Sequence, residues 1–421
     1  MAKKQTAKRK RVRRILSPSH TKGYYRFSKE FPSVTDGDGY RDNDLIVNSP
    51  AKKASVRRRL IAVSLFVFVV TFFAASVCFS MSNIPVKQQQ ETVTGEMEKV
   101  DFSGYKAVCL KGEILSRSSA ESVISELLVY GVNTVIIDFK DATGNFYFKP
   151  SISVSGEAIH NASDNAQKIV KEFQEANISV IARFSCFADD IYARTNQNEA
   201  AFVSTGTAES SADTIWYSGG EYSHAWLNPY SVEVQYYLRV TAQDVEDMNV
   251  DGILFDNVQL PMNAQSDGVQ FIGQTEEPAS AAMASFIKIL NNNYIECKTA
   301  AFLSREYALD SINSSVAPDI FLSGCNYIIP DIRLSLMPEN TVIGTRQYGK
   351  AQLSPAEFVT DYMNGLKMIA EGEESSFEII PLFETSDVNG KELSALYSVK
   401  GNSYIMYNSD AVYTADNFMA D

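Results

Sequence analysis

Two phosphate-cradling signatures are missing from this chain. Neither G-x-G-x-x-G nor G-x-x-x-x-G-K-[ST] occurs, so no nucleotide site is expected. Cysteine is scarce, with five in 421 residues. Cys109, Cys186, Cys297 and Cys325 show no C-x-x-C spacing, which argues against zinc. Three of these four fall in or just after apolar runs and read as small core residues rather than bridges. No metal and no cofactor is expected, and no dependence on disulfides. Acidic residues are absent before Glu30. Residues 1–59 hold 17 Lys and Arg against 5 Asp and Glu, so about +12 sits ahead of a remainder of about −25 in a chain of −13. An asymmetry of this size marks two environments.

The boundary between them is residues 60–82, LIAVSLFVFVVTFFAASVCFSMS, which carry no charge at all. The run is close to the ~20 apolar residues that cross a bilayer and too long for a core helix of a soluble domain. Lys52, Lys53, Arg57, Arg58 and Arg59 abut its amino end, which by the positive-inside rule keeps the tail cytoplasmic and exports the rest. The small residues Ala74, Ala75 and Ser76 keep a cleaved signal peptide open as a competing reading, but the basic segment ahead is far longer than a signal n-region. Cys78 follows Val77, where a lipidation site would need a small residue. The tail, with Lys8, Arg9, Lys10, Arg11, Arg13 and Arg14, resembles a patch for nucleic acid or anionic lipid. Beside a span, attraction to anionic headgroups at ~1 kcal/mol per basic residue is the simpler account, so no nucleic-acid partner is expected. Residues 1–59 read as disordered, and 83–103 as a polar stalk.

From residue 104 short apolar runs alternate with helical periodicity. Strands are predicted over 106–110, 132–138, 178–184, 251–256, 299–303, 319–323, 341–345 and 377–383. Helices are predicted over 120–130, 164–176, 231–248, 281–290 and 355–370. Gly131 stops the first helix, and Ser354 with Pro355 opens the last. Eight strands with intervening helices predict an α/β fold of the (β/α)8 TIM-barrel type over 104–395, with an open doubly wound sheet as the alternative. The alternating segment in 396–421 reads as a C-terminal extension with a small hairpin.

Such barrels carry their chemistry after the strands. Gly252, Ile253, Leu254 and Phe255 form an apolar run without alternation, as in a strand buried on both faces, and the run ends at Asp256. Similar runs close on Asp138 and on Glu384, so an acidic rim is expected. The strand-end candidates are Asp138 and Asp141, Arg183, Asp256, Glu306, Asn326 with Tyr327, and Glu384. A long insertion, 185–230, adds Trp216, His224, Trp226 and Asn228. Its aromatics suit either stacking on sugar rings or pinning the loop to the barrel.

These residues resemble a known family. Residues 131–141, Gly-Val-Asn-Thr-Val-Ile-Ile-Asp-Phe-Lys-Asp, followed by Gly144, are similar to the "VNAVVIDVKDxxG" segment of a bacterial glycosyl hydrolase domain family. Ile181-Ala182-Arg183-Phe184 with Phe187-Ala188-Asp189 is similar to its "IARIVVFKD" strand, Trp226-Leu227-Asn228-Pro229-Tyr230 to its "WVNPY", and 251–261 to its "DEIQFDYVRFP". The resemblance spans 104–390. It implies a barrel distantly similar to the α-amylase clan, with Asp256 in the place of the nucleophile. The chain departs at Asn257-Val258-Gln259-Leu260-Pro261, where the family has Tyr-Val-Arg-Phe-Pro, so neutral Gln259 replaces an arginine that could hold a carboxylate ionised. The family's "PMVYPSHY" segment reads here as Gly-Cys-Asn-Tyr-Ile-Ile-Pro over 324–330, and "RPWLQ" as Ile380-Pro381-Leu382-Phe383-Glu384.

Two functions are consistent with this reading. One is a membrane-anchored, extracytoplasmic glycoside hydrolase acting on cell-envelope or environmental polysaccharide. Asp256 would be the nucleophile and Asp141 or Glu306 the acid. Asp138, Arg183, His224, Trp226, Asn228, Gln259, Tyr327 and Glu384 would hold the substrate. The other is a barrel without catalysis that binds cell-wall glycan as an anchored adaptor. The mature protein is expected to keep residues 60–82; an intact mass corresponding to a start after residue 75 would overturn the anchor.

Overall fold

The computed structural model describes residues 104–204, 213–219, 223–338, 340–349, 355–373, 376–385, 391–399 and 401–418. The basic tail, the run 60–82 and the stalk lie outside them. Among the described residues no helix is long and apolar enough to cross a membrane.

In chain order the main elements are β1 (Lys106–Leu110), α1 (Glu121–Val129), β2 (Thr134–Lys140), α2 (Ala166–Glu175), β3 (Ser179–Ser185), α3 (Asp190–Thr195), α4 (Val232–Glu246) and β4 (Gly252–Asp256). They continue with α5 (Ala279–Asn293), β5 (Lys298–Leu303), α6 (Arg305–Ser314), β6 (Tyr327–Pro330), α7 (Pro355–Gly372), β7 (in two pieces, Glu378–Ile379 and Leu382–Glu384), α8 (Lys391–Ser398) and β8 (Tyr404–Tyr407). Local chemistry accounts for several boundaries. Gly131 follows α1 at φ 69, and Asp189 and Ser231 cap α3 and α4 by accepting from Tyr192 N and Val234 N.

Every pairing among β1–β8 is parallel, and neighbours in the sheet are neighbours in sequence, with β8 beside β1. The first piece of β7 pairs with β6 and the second with β8, so residues 378–384 join both ends of the curled sheet. Ile380 N donates to Ile328 O and Ile405 N to Pro381 O across that join.

Strand alternation then sorts side chains into two cores. Ala107, Cys109, Ile136, Leu254, Ala300, Ile329, Ile380, Leu382 and Ile405 pack together inside the sheet. Their sequence neighbours Val108, Val135, Ile137, Ile253, Phe255, Ala301, Ile328, Phe383 and Met406 face the helices in the larger core. Burial on both faces explains why these strands read as continuous apolar runs.

Three expected elements are corrected. Residues 319–323 form a short 3-10 turn (Asp319–Leu322) rather than a strand, and β6 comes later, at Tyr327–Pro330. Residues 341–345 belong to an antiparallel hairpin outside the main sheet, Asn340–Ile343 with Arg346–Gly349. The strand expected over 377–383 is therefore seventh, and the eighth is β8, from the segment expected to form a hairpin beside the barrel. The domain runs past 395 for that reason. The short β6 and β8 runs carry too little pattern to separate from loop and hairpin signals.

An irregularity in β2 redirects a charged side chain. Between Asp138 and Lys140 the register of β2 against β3 shifts by a bulge, which turns Lys140 out of the inner layer. Lys140 is buried, its Nζ 2.8 Å from Asp189 Oδ2 and 2.9 Å from Ser185 O, within 6 Å of the Phe146, Phe184 and Tyr237 rings. Tyr237 donates its hydroxyl to the same Asp189 oxygen at 2.8 Å. Gly144, at φ +99, leaves room here, since a Cβ would lie 2.1 Å from Asp189 Oδ1. Cys109, Cys186, Cys297 and Cys325 are all free thiols. Lys140→Met is expected to lower stability by about 3–5 kcal/mol, because it leaves a buried carboxylate without its cation. Urea unfolding of parent and variant measures the difference, and a change under 1 kcal/mol would show that Tyr237 OH and Tyr192 N satisfy Asp189 without the lysine.

Candidate functional site

The alternation that buries Ile136, Ile181 and Leu254 inside the sheet places Asp138, Arg183 and Asp256, two residues further along each strand, on the same inner side. All three stand at the carboxyl ends of β2, β3 and β4. Arg183 bridges the two acids. Its Nε and Nη2 donate to Asp256 Oδ2 at 2.8 and 2.6 Å, and its Nη1 lies 3.5 Å from Asp138 Oδ1. Burial opposes the charge on Arg183, but the two carboxylates more than offset it and hold its pKa above the usual range. Asp256 is buried, and its Oδ1 accepts from Asn257 N at 2.7 Å.

Asp256 opens on a cavity of about 470 Å3 formed by the segments that follow β4 and β5 together with the insertion. Asn257, Gln259, Met262, Phe302, Ser304, Glu306, His224 and Trp226 line it as well. Glu306 lies in the first turn of α6 with its side chain 49% exposed, and Arg305 Nη2 donates to its Oε1. Gln259 is buried and accepts from Ser304 N at 3.1 Å, tying the β4 loop to the β5 loop. His224 Nδ1 lies 3.1 Å from Asp190 Oδ2, and Asp190 Oδ1 accepts from Ala225 N at 2.7 Å. An acid so placed fixes the ring of a histidine.

A second, smaller cavity of about 200 Å3 lies beside Asp138 and Arg183, lined also by Asp141, Tyr147, Glu113 and Tyr407. Asp141 is not poised as an acid. Its Oδ1 accepts from Gly144 N and Asn145 N, and its Oδ2 from Asn145 Nδ2 and Tyr147 OH, at 2.9–3.2 Å. Four donors make it the organiser of its own turn, and it does not line the cavity of Asp256.

Three expected substrate-binding residues lie elsewhere. Tyr327 begins β6 rather than following it, so it sits at the opposite end of the sheet, its hydroxyl 3.0 Å from that of Tyr105. Asn228 is buried, with Nδ2 donating to Ile272 O and Oδ1 accepting from Tyr230 N, and serves to fold the insertion. Glu384 ends β7 and accepts from Ser335, outside both cavities. The tryptophans are not exposed platforms. Each is 4% exposed, Trp216 donating to Asp267 at 3.0 Å and Trp226 lining the cavity from a buried position. The other apolar residues lining the cavity are Val258, Leu260, Pro261, Met262 and Phe302.

Sequence reasoning missed Asp190 and Asn257 as supports of the site. Strand parity was the available signal for the Asp138, Arg183 and Asp256 grouping, and Phe302 shares it with Ala300. Among the described residues no group of three His, Cys, Asp or Glu side chains is arranged to hold a metal ion.

Residues 110–304 match the protein family described as "Putative glycosyl hydrolase domain". The matched segment contains Asp138, Arg183 and Asp256 and ends just before Glu306. No curated protein matches the chain. Among solved structures, the glycoside hydrolase domain of PgaB (BpsB) from Bordetella bronchiseptica is similar at 12% identity, covering 73% of this chain and 95% of that one with a TM-score of 0.47. The glycoside hydrolase domain of PelA from Pseudomonas aeruginosa is similar at 11% identity over 74% and 96%, TM-score 0.41. A hypothetical protein from Ruminiclostridium thermocellum is similar at 18% identity over 46% and 96%, TM-score 0.37.

The electrostatics of the rim has a measurable consequence. The Asp138 carboxyl is pushed up to about 6, by burial first, against the pull of Arg183, with Asp256, Asp141 and Glu113 adding to the rise. A folded-state value above the unfolded ~3.9 means the folded protein binds this proton more tightly. The stability it contributes is full below about pH 4 and is lost as pH rises to about 6. Asp138→Asn, which cannot ionise, is therefore expected to gain melting temperature over the parent across that window and to hold a constant lead above it. A lead that does not change between pH 4 and 7 would remove the assignment.

Proposed function

We propose that the domain is a glycoside hydrolase acting outside the membrane on cell-envelope or environmental polysaccharide. The span at 60–82 would hold it, with the basic tail on the cytoplasmic side against anionic headgroups. The observation that carries the enzymatic reading is Asp256. It is a buried carboxylate at the carboxyl end of β4, oriented by Arg183, opening with Glu306 onto one cavity of a size suited to a small ligand or part of a chain. In this reading Asp256 stabilises or attacks the developing oxocarbenium carbon and Glu306 protonates the leaving oxygen, the division of labour that two-carboxylate glycosidases use. Arg183 supplies from β3 the cation that Gln259 lacks. Gln259 and His224, with Met262 and Phe302, would seat the sugar.

A second reading keeps the cavity but not the chemistry. Asp141 is committed to its turn, Glu306 is paired to Arg305, and three donors already occupy Asp256. A glycan-binding adaptor fits those commitments too. The test is turnover and binding on a panel of polysaccharides by the parent, Asp256→Asn and Glu306→Gln. The hydrolase reading expects Asp256→Asn to lose at least about 10²-fold in kcat with binding kept. Glu306→Gln should lose about 10²–10⁴-fold on polysaccharide but far less on an aryl glycoside whose leaving group needs no proton. Activity unchanged in Asp256→Asn would sink the reading, and binding without turnover in the parent would favour the adaptor.

A further inference from the structure

We propose that Asn257 is a positioning residue: its N–H holds Asp256 Oδ1, and its side chain and carbonyl lock the left-handed turn that follows to the end of β3. What the carboxylate does rests on the hydrolase reading; how it is held rests on geometry alone. Asn257 has φ 54, a region that residues with a Cβ rarely occupy and that asparagine tolerates better than most. Its N–H, in the peptide shared with Asp256, donates to Asp256 Oδ1 at 2.7 Å. Its Nδ2 donates to Ser185 Oγ at 2.9 Å, and its carbonyl accepts from Phe187 N at 3.1 Å.

The anchor at the other end is itself rigid. Ser185 is buried, its Oγ donates to Ala188 O at 2.8 Å, and its carbonyl accepts from Lys140 Nζ at 2.9 Å. Cys186 N donates to Asp256 O at 2.9 Å, a further stitch between the same two loops. The two carboxylate oxygens of Asp256 are therefore held separately, Oδ2 by Arg183 from within β3 and Oδ1 by Asn257 from the turn that β3 secures. Rotating the carboxylate breaks one hold or the other. The left-handed conformation comes after that N–H in the chain: it brings the carbonyl and side chain of Asn257 onto the end of β3, and so fixes the peptide that carries the N–H. Strain of this kind persists only where surrounding bonds over-determine it, and here three do.

The experiment uses the full chain and the variants Asn257→Gly, Asn257→Val and Ser185→Ala, with circular-dichroism melts to establish folding. Glycine adopts the left-handed region without a Cβ clash, whereas β-branched valine resists it. On a polysaccharide turned over by the parent, Asn257→Gly, which keeps the turn but like Ser185→Ala loses the side-chain bond, is expected to fall about 3–10-fold in kcat, while Asn257→Val falls about 10²-fold with KM little changed, the penalty of a misplaced reacting group. A merely structural role would move melting temperature without that split or that rescue by glycine. Amide hydrogen exchange at residue 257 reads the hold without any turnover: slow in the parent, faster in Asn257→Gly and fastest in Asn257→Val. If the parent hydrolyses nothing, the hydrolase reading fails and the exchange pattern still decides the positioning. If Asn257→Val does not fold, Ser185→Ala takes its place, with faster exchange at 257 and lower kcat expected. Valine equal to the parent in exchange, glycine as poor as valine, or a folded Ser185→Ala unchanged in exchange would each overturn the proposal.

Discussion

The arginine between Asp138 and Asp256 is the interaction on which the site depends. Two carboxylates on inner-facing strand ends, one strand apart, repel each other, and in a partly desolvated barrel mouth water screens them poorly. Arg183, projecting from the strand that lies between theirs, answers both. Its grip is unequal, with two short hydrogen bonds to Asp256 and one longer contact to Asp138. That inequality gives the acids different work. Asp256 is fixed in direction, while Asp138, crowded and less well served, keeps a proton to higher pH than an ordinary aspartate.

Behind this layer stands a second charged group facing the other way. The bulge in β2 sends Lys140 outward, where Asp189 and the rings of Phe146, Phe184 and Tyr237 enclose it. Through Ser185 O the lysine braces the end of β3, and through Asp189 the same cluster caps α3. Asp190, next along, reaches His224. One buried ion pair thereby steadies Arg183's strand, the turn that carries Asn257, and the wall that carries the histidine. A buried ion pair is a poor source of net stability, so its value lies in fixing these directions.

The insertion divides its labour by burial. Trp216, Trp226 and Asn228 fold it and close it against the sheet, whereas His224 and the short β4 loop face the open volume. Aromatic rings this deeply buried cannot offer their faces to a sugar. Met262 and Phe302 line the cavity with Val258, Leu260 and Pro261, and of Met262 and Phe302 only the latter carries a sequence signal, its strand parity with Ala300.

The first five strands, most of the long helices and the acids at strand ends were legible from the chain alone, because a parallel strand buried on both faces is an unbroken apolar run ended by a polar group. Asp256 and its likeness to a hydrolase family were legible for the same reason, carried by contiguous residues from 251 to 261. The order of the last three strands was not. Four residues such as Tyr327–Pro330 or Tyr404–Tyr407 hold no period that tells strand from loop, and only pairing with a partner identifies them. That error alone put Tyr327 at the wrong end of the sheet. The partnership of Arg183 with two acids 45 and 73 residues away, the removal of Asp141 into its own turn, and the left-handed amide at Asn257 belong to tertiary structure. Sequence determines which groups a strand end carries and, by parity, which side they face; their distances and hydrogen-bond partners are set by how neighbouring strands register against one another.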